Sequence, residues 1–337
     1  MRLAEEISRY GSVAVAGLAK NVGKTVTLNH ILREAHNLNQ SIGVTSIGID
    51  GETTDQVTRT AKPEITIYEG MYFATSETHY RQRRLMSEVL DIGRRHTSLG
   101  RIVTAKALST GKALLSGPAD TASLSRLIGE MRDCGAGTVL VDGALSRLSP
   151  ASPAVTEAMI LATGAALSPS IPRIVSHTAY ICGLVDLPEV DPAVGRRLEG
   201  IEEVCGIDEE GMAHNIGVKS ALELERVKGS AFRHPASGMR IYVPGMIGDR
   251  LVKYLSSRLK DGETELIIRD FTRIFADPMV LRGFISGGGK ISVLRRPRLI
   301  GVTINPWSPA GYTVDQEKLQ AELQQRLSVP VVNVMRE

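Results

Sequence analysis

The chain has 337 residues, 42% of them apolar and 23% charged, with 40 basic and 37 acidic side chains for a formal net charge of +3. That composition excludes a disordered chain, and the near-balance of charge excludes a protein built mainly to coat nucleic acid. Aromatic residues are 4% with a single Trp, Trp307, which speaks against a stacking platform for single-stranded nucleic acid or an aromatic sugar cleft.

The first ten residues carry Glu5 and Glu6 and no apolar run, so no signal peptide is expected. Ser12–Ala16 is a run of small apolar residues suited to a buried strand. Gly17-Leu-Ala-Lys-Asn-Val-Gly-Lys-Thr25 follows, and then a helix to about Asn37 with Leu28, Ile31, Leu32 and Ala35 at helical spacing. Ile42–Ile49 reads as a second buried strand ending at Asp50. Strand, glycine loop, helix and strand form a βαβ unit, which requires a parallel sheet.

Gly51–Pro63 is a polar loop, Ile65–Tyr68 a short strand and Ser76–Arg95 a charged helix. Ile102–Leu108 and Lys112–Ser116 flank Ser109-Thr-Gly111 as a hairpin at a sheet edge. Ala122–Asp133 is an amphipathic helix, and Thr138-Val-Leu-Val-Asp142 a central strand ending in an acid. Val155–Leu161 reads as helix, Arg173–Ser176 as a short strand and Ser176–Val185 as helix. The weakly charged stretch 158–185 is broken by Gly164, Pro169 and Pro172, so no membrane span is expected. Cys134, Cys182 and Cys205 are widely spaced without C-x-x-C, which suits free thiols in a reducing cytoplasm.

Charge rises after Pro188, and 188–237 reads as an insertion or lid between a first part, 1–187, and a remainder, 238–337, that resumes the same sheet. In that remainder, Ile241–Val243, Glu265–Arg269, Leu299–Asn305 and Val331–Val334 are strands, and Ile247–Leu259 and Val314–Leu327 are helices. Ser286-Gly-Gly-Gly-Lys290 reads as a glycine hairpin turn rather than a second phosphate loop. The arginine clusters at 81–84, 94–95, 196–197 and 295–298 suit a solvated face or a protein-docking patch more than nucleic acid. No histidine pair has metal-ligand spacing and no G-x-S-x-G elbow occurs, so a covalent-nucleophile hydrolase is not expected.

The segment 17–25 carries the chemistry. A P-loop is G-x-x-x-x-G-K-[ST]; here five residues separate Gly17 from Gly23, and the ending Gly23-Lys24-Thr25 is intact between strand and helix. Backbone N–H groups from Gly17 through Lys20, Asn21, Val22 and Gly23, together with the helix N-terminus, suit phosphate oxygens. Lys24 suits the β- and γ-phosphates, and the Thr25 hydroxyl suits Mg2+. Asp142 is the acid expected to share that metal, with Asp186 as a competing candidate; Asp50, close to Glu52 and Asp55, is expected to hold metal or water.

The loop spacing, with Val22 before Gly23-Lys24-Thr25, resembles dethiobiotin synthetase, in the class of P-loop NTPases that includes MinD-type ATPases and signal-recognition GTPases. Asp142-Gly-Ala is similar to the Glu-Gly-Ala of that synthetase family. The resemblance implies a three-layer αβα fold with a mostly parallel sheet, ATP and Mg2+ as cofactors, and a late strand whose terminal Asn reads the base. Asn305 takes that position in Ile300-Gly-Val-Thr-Ile-Asn305, where a turn residue before Pro306 is the equal alternative. Departures matter too. The synthetase Lys-Pro pair after strand two is replaced by Ser46-Ile-Gly-Ile-Asp50, and the MinD-type lysine position holds Ala19, with Lys20 either its substitute across a homodimer or simply a basic loop residue.

Residues 139–166 together with 16–25 resemble the P-loop protein associated with cobalamin-dependent lysine 5,6-aminomutase, a reactivase component working with a MutS-like ATPase. The expectation is therefore an ATPase that drives a conformational switch or chaperone action on a partner enzyme, with no membrane or nucleic acid involved. An ATP-dependent ligase or synthetase acting on a small metabolite is the alternative, and a nucleotide-binding module without catalysis is the third reading.

Overall fold

The computed structural model describes residues 2–48, 64–144, 152, 155–218, 239–257 and 264–336. The chain divides into two units, one of residues 1–182 and 297–337 and the other of residues 183–296.

The first unit is built on a nine-stranded sheet. At its centre β1 (Ser12–Gly17), buried along its whole length, lies parallel between β8 (Thr138–Ala144) and β9 (Ala158–Gly164). Beyond β8 come β2 (Ile42–Ser46) and β4 (Tyr72–Ser76), also parallel, and then β6 (Gly100–Ala107) and the edge strand β5 (Ser87–Thr97), both antiparallel to their neighbours. Beyond β9 come β15 (Arg298–Asn305) and β16 (Val331–Asn333), again parallel. Strands buried on both faces need near-continuous apolar side chains, which is why β1 and β9 read Ser-Val-Ala-Val-Ala-Gly and Ala-Met-Ile-Leu-Ala-Thr-Gly, with the buried Ser12 and Thr163 hydroxyls both hydrogen-bonded.

Helices cover both faces. On one, α1 (Leu3–Ile7) and α2 (Lys24–Asn37) set Leu3, Ile7, Leu28, Ile31 and Leu32 against Val13, Val15 and Leu140. On the other, α4 (Thr121–Asp133) sets Leu124, Leu127, Ile128 and Met131 against Val139 and Val141. Asp120 caps α4 by accepting the Ser123 N–H at 2.8 Å. On the face of β9 opposite Ile160, Thr163 meets Thr178 of α5 (Ile171–Val185) at 2.9 Å. At the far edge α9 (Gln316–Arg326) packs on β15 and β16.

Four expectations are corrected in this unit. The segment 76–95 is not one helix: Ser76 caps the short α3 (Glu77–Arg81), and β5 follows as an edge strand whose register slips around Leu90 and again before His96. Its charged residues suit an edge strand, where exposed charges and bulges discourage further pairing. The expected hairpin over 102–116 is replaced by a β5–β6 hairpin, while β7 (Gly111–Ala113) pairs with β3 (Ile65–Ile67) instead. Residues 158–161 are strand rather than helix, because Ala, Met and Leu are strong helix formers only until two strands claim the segment. Residues 173–176 belong to α5 rather than to a strand.

The second unit has its own five-stranded sheet, ordered β11 (Ala213–Val218), β10 (Val204–Ile207), β12 (Met239–Val243), β13 (Thr264–Ile268) and β14 (Lys290–Val293). The last three are parallel and joined by α7 (Asp249–Ser256) and α8 (Pro278–Ser286); β10 runs antiparallel to both its neighbours. Val190, Val194 and Leu198, on and before α6 (Pro192–Leu198), close a core with Tyr242 and Ile267. The strands over 241–243 and 265–268 therefore do not resume the first sheet; among the described residues of the expected remainder 238–337, β15 and β16 do, with α9 packed on them. The glycines at 287–289 connect α8 to β14 and make no hairpin. Among the described residues, no helix is long and apolar enough to cross a membrane.

Candidate functional site

The site is built where β1, β8 and β9 end side by side. Gly17 pairs with Ala144 of β8 and Ala162 of β9, and the Leu18 N–H donates to the Ala162 carbonyl at 2.9 Å. The chain then turns back through two left-handed residues, Asn21 (φ 61°) and Gly23 (φ 98°). Gly23 is the residue before α2, and its carbonyl accepts the Thr27 N–H at 2.9 Å. The turn is tight: a Cβ on Gly17 would lie 2.6 Å from Lys24 Cγ and 2.8 Å from Val22 Cγ2. Val22 is buried under the loop while Lys20 and Asn21 are exposed at its crest. Helix α2 thus starts at the loop with no side-chain cap on its first N–H groups, a local setting that favours anions.

Lys24 leaves the first turn of α2 toward β8, and its Nζ stands 3.5 Å from Asp142 Oδ1. Both side chains are about four-fifths buried, with 22% and 21% exposed. Asp142 sits between Val15 of β1 and Ser46 of β2 in the sheet, so its carboxylate position is set by two flanking strands. Its carbonyl accepts the Ile47 N–H at 3.2 Å and the Ser46 hydroxyl at 3.3 Å. Its Oδ1 is buried and makes no hydrogen bond among the described residues, where Lys24 is its ion-pair partner. Thr25 is half-buried in the same first turn of α2.

Asn305 ends β15 on the other side of the loop. A Cβ on Gly23 would come within 2.9 Å of Asn305 Cβ, so this strand end touches the loop. Asn305 is buried, and its Oδ1 already accepts the Trp307 N–H at 3.1 Å. The turn-residue alternative for Asn305 is thereby realised: one lone pair of its amide oxygen is spent locally.

No protein-family model matches the chain, and no curated protein matches it.

The loop residues Gly17, Lys20, Asn21, Val22, Gly23, Lys24 and Thr25 thus gather with Asp142 and Asn305 at the C-terminal ends of the central parallel strands. Asp50, with Glu52 and Asp55, lies outside the described residues. Asp186 follows the end of α5 rather than a strand, and its exposed carboxylate pairs with Arg296 at 2.5 Å. Among the described residues, no three His, Cys, Asp or Glu side chains cluster as a metal centre. Burial pushes the thiols of Cys134 and Cys205 up, the direction opposite to that of a nucleophilic cysteine.

Sequence reasoning missed β9 as the second neighbour of β1. Its signal was the apolar run Ala158–Ala162 followed by Thr163 and Gly164, the pattern of a parallel strand buried on both faces. It also placed no weight on the residues after Asn305, where a lone tryptophan follows a strand end.

Proposed function

We propose that this chain binds Mg-ATP at the 17–25 loop and hydrolyses the β–γ bond, using the cycle to switch a partner enzyme. The supporting observation is the Lys24–Asp142 pair: a cation and an anion held 3.5 Å apart beside a left-handed glycine turn and an uncapped helix N-terminus. The residues present suit the ligand. Gly17 and Gly23 sit where a Cβ would crowd its neighbours, so the backbone itself is free to approach phosphate oxygens. Asp142 Oδ1, buried without a hydrogen-bond donor among the described residues, is an oxygen that a divalent cation satisfies.

In this reading the loop N–H groups bind the phosphates and Lys24 leaves Asp142 for the β- and γ-oxygens. Thr25 and Asp142 would hold the magnesium. When bound, that ion neutralises phosphate charge and polarises the γ-phosphoryl group. A water oxygen bonds to the γ-phosphorus as the bond to the β–γ bridging oxygen breaks, giving ADP and phosphate, and Lys24 and the loop amides stabilise the charge in transit. Such a site carries out slow basal hydrolysis, as suits a switch.

The partner is a protein. The resemblance of residues 16–25 and 139–166 to the P-loop reactivase component supports lysine 5,6-aminomutase as that partner. The test is ATP and GTP hydrolysis by wild type and Lys24→Ala, with and without the aminomutase. The expected result is weak turnover that falls at least about a hundredfold in Lys24→Ala, the scale of losing electrostatic stabilisation of a transferring group, and that the partner stimulates. Hydrolysis indifferent to Lys24 would overturn the reading. Turnover that requires a small acid or amine would move it to the synthetase alternative.

A further inference from the structure

The outermost strand of the nine-stranded sheet is the longest strand among the described residues. β5 has 11 residues, pairs with β6 along one edge, and has its other edge bare among the described residues. Natural sheets keep such edges short, because a bare edge offers a row of unpaired N–H and C=O groups. Side chains on both faces of β5 are exposed. Val89 and Ile92 lie opposite Ala105 and Val103 with 45% and 40% of their surface in solvent, and on the other face Glu88 and Asp91 lie opposite Lys106 and Thr104. The charges are sorted by sign: the acids Glu88 and Asp91 occupy the first half of the strand, and the bases Arg94 and Arg95 the second. Glu88, Asp91 and Arg94 make no ion pair among the described residues. Lys106 lies over the Tyr72 ring instead of reaching Glu88, and Arg95 donates to the Ser123 hydroxyl of α4 at 3.1 Å. Burial first, and then the Asp91 carboxylate, hold the Glu130 carboxyl of α4 above its ordinary value, so a further acid lies beside the first half of the strand.

A strand with this pattern is complementary to itself. Antiparallel pairing about a two-fold axis through its middle lays the first half of each strand along the second half of the other. Glu88 and Asp91 of one copy then face Arg94 and Arg95 of the other, and the contact occurs twice. In-register parallel pairing would instead set like charges side by side. We propose that β5 is the interface of a homodimer, in which the sheets of two copies join edge to edge through antiparallel β5 strands. Exposed charges and bulges discourage pairing with extended segments at large, and sorting by sign leaves this one arrangement open. The bulges of β5 recur at symmetry-related places in the second copy, so the local twist of one strand is met by the same twist in the other. Val89 and Ile92 of the two copies share one face of the joined sheet and add apolar contact across the seam. The arrangement also bears on Lys20. β5 lies five strands from β1, and at about 4.8 Å per strand the two 17–25 loops stand on the order of 50 Å apart. Each Lys20 therefore serves the loop of its own copy.

The test is the mass of the full chain in solution, measured by sedimentation velocity and light scattering across micromolar concentrations. Three variants accompany wild type: Glu88→Lys/Asp91→Lys, Arg94→Glu/Arg95→Glu and Ile92→Lys. Wild type should be a dimer. Each double variant carries one sign along the whole strand, so each alone should dissociate at least about tenfold more readily, because like charges then meet across the seam. An equimolar mixture of the two double variants should return a dimer, since each half again faces its opposite. Ile92→Lys, which sets a cation near the axis in both copies, should weaken the dimer as well. Circular dichroism checks that the variants fold. A monomeric wild type would overturn the proposal, as would a dimer that survives both charge reversals. Two folded double variants that fail to associate when mixed would overturn it too. Where a double variant does not fold, Ile92→Lys decides, and a dimer indifferent to it would overturn the interface. All five positions lie outside the 17–25 loop, so the nucleotide reading stands or falls separately.

Discussion

The Lys24–Asp142 pair makes a prediction about stability that needs no nucleotide. At an effective dielectric of about 20, unit charges at their 3.5 Å separation attract by about 5 kcal/mol, and the cost of desolvating two largely buried ions consumes most of that gain. The larger effect comes from asymmetry. Lys24→Ala leaves Asp142 Oδ1 buried with neither a hydrogen bond nor a counter-charge among the described residues, which costs about 1–3 kcal/mol. Asp142→Asn in that background removes the stranded charge and should return about half of the loss. For a unit of this size, each kcal/mol corresponds to about 2–4 °C in melting temperature. Lys24→Ala should therefore melt about 2–12 °C below wild type in nucleotide-free buffer, and Lys24→Ala/Asp142→Asn should melt above Lys24→Ala. The assay is a double-mutant cycle by thermal and urea unfolding with nucleotide removed and checked by absorbance. A coupling energy below about 0.3 kcal/mol, within the additivity expected of independent sites, would refute the argument that the two charges depend on each other.

Gly23→Ala should be worse than an ordinary left-handed glycine substitution. Both Gly23 (φ 98°) and Gly70 (φ 85°) hold conformations that cost an L-residue about 1–2 kcal/mol, but a Cβ on Gly23 also meets Asn305 at 2.9 Å while one on Gly70 meets nothing within 4 Å. Unfolding curves for the two variants should differ, with Gly23→Ala the less stable; equal losses would show that Asn305 yields freely. Asp120→Ala should cost about 1 kcal/mol at neutral pH as the cap of α4 is lost. The Ser123 N–H holds the Asp120 carboxyl below its ordinary value of 3.8, so this contribution is full above that pH and is lost as pH falls through the lowered value. The stability gap between wild type and Asp120→Ala should therefore narrow on acidification below about pH 4, and a gap that stays constant to pH 2 would contradict the assignment of the cap to the ionised form.

The sequence by itself determined the parts whose signals are local. The strand–loop–helix–strand unit over 12–46 follows from consecutive residues: a small apolar run, two glycines at loop spacing, and apolar positions on one helical face. The strand that carries Asp142 is legible for the same reason, although it runs two residues further, to Ala144. Only the tertiary structure decided which strands adjoin. That β8 lies directly beside β1, more than 120 residues away in sequence, is what puts Asp142 within reach of Lys24, and no local pattern encodes that pairing. The same holds for the segments that local propensity assigns wrongly. Residues 158–164 carry helix formers yet become strand because β1 and β15 hydrogen-bond both of their edges, and β12 and β13 carry parallel-strand patterns yet belong to a second sheet. Propensity is worth tenths of a kcal/mol per residue, whereas burial between two strands is worth more, so where the two disagree the neighbours prevail.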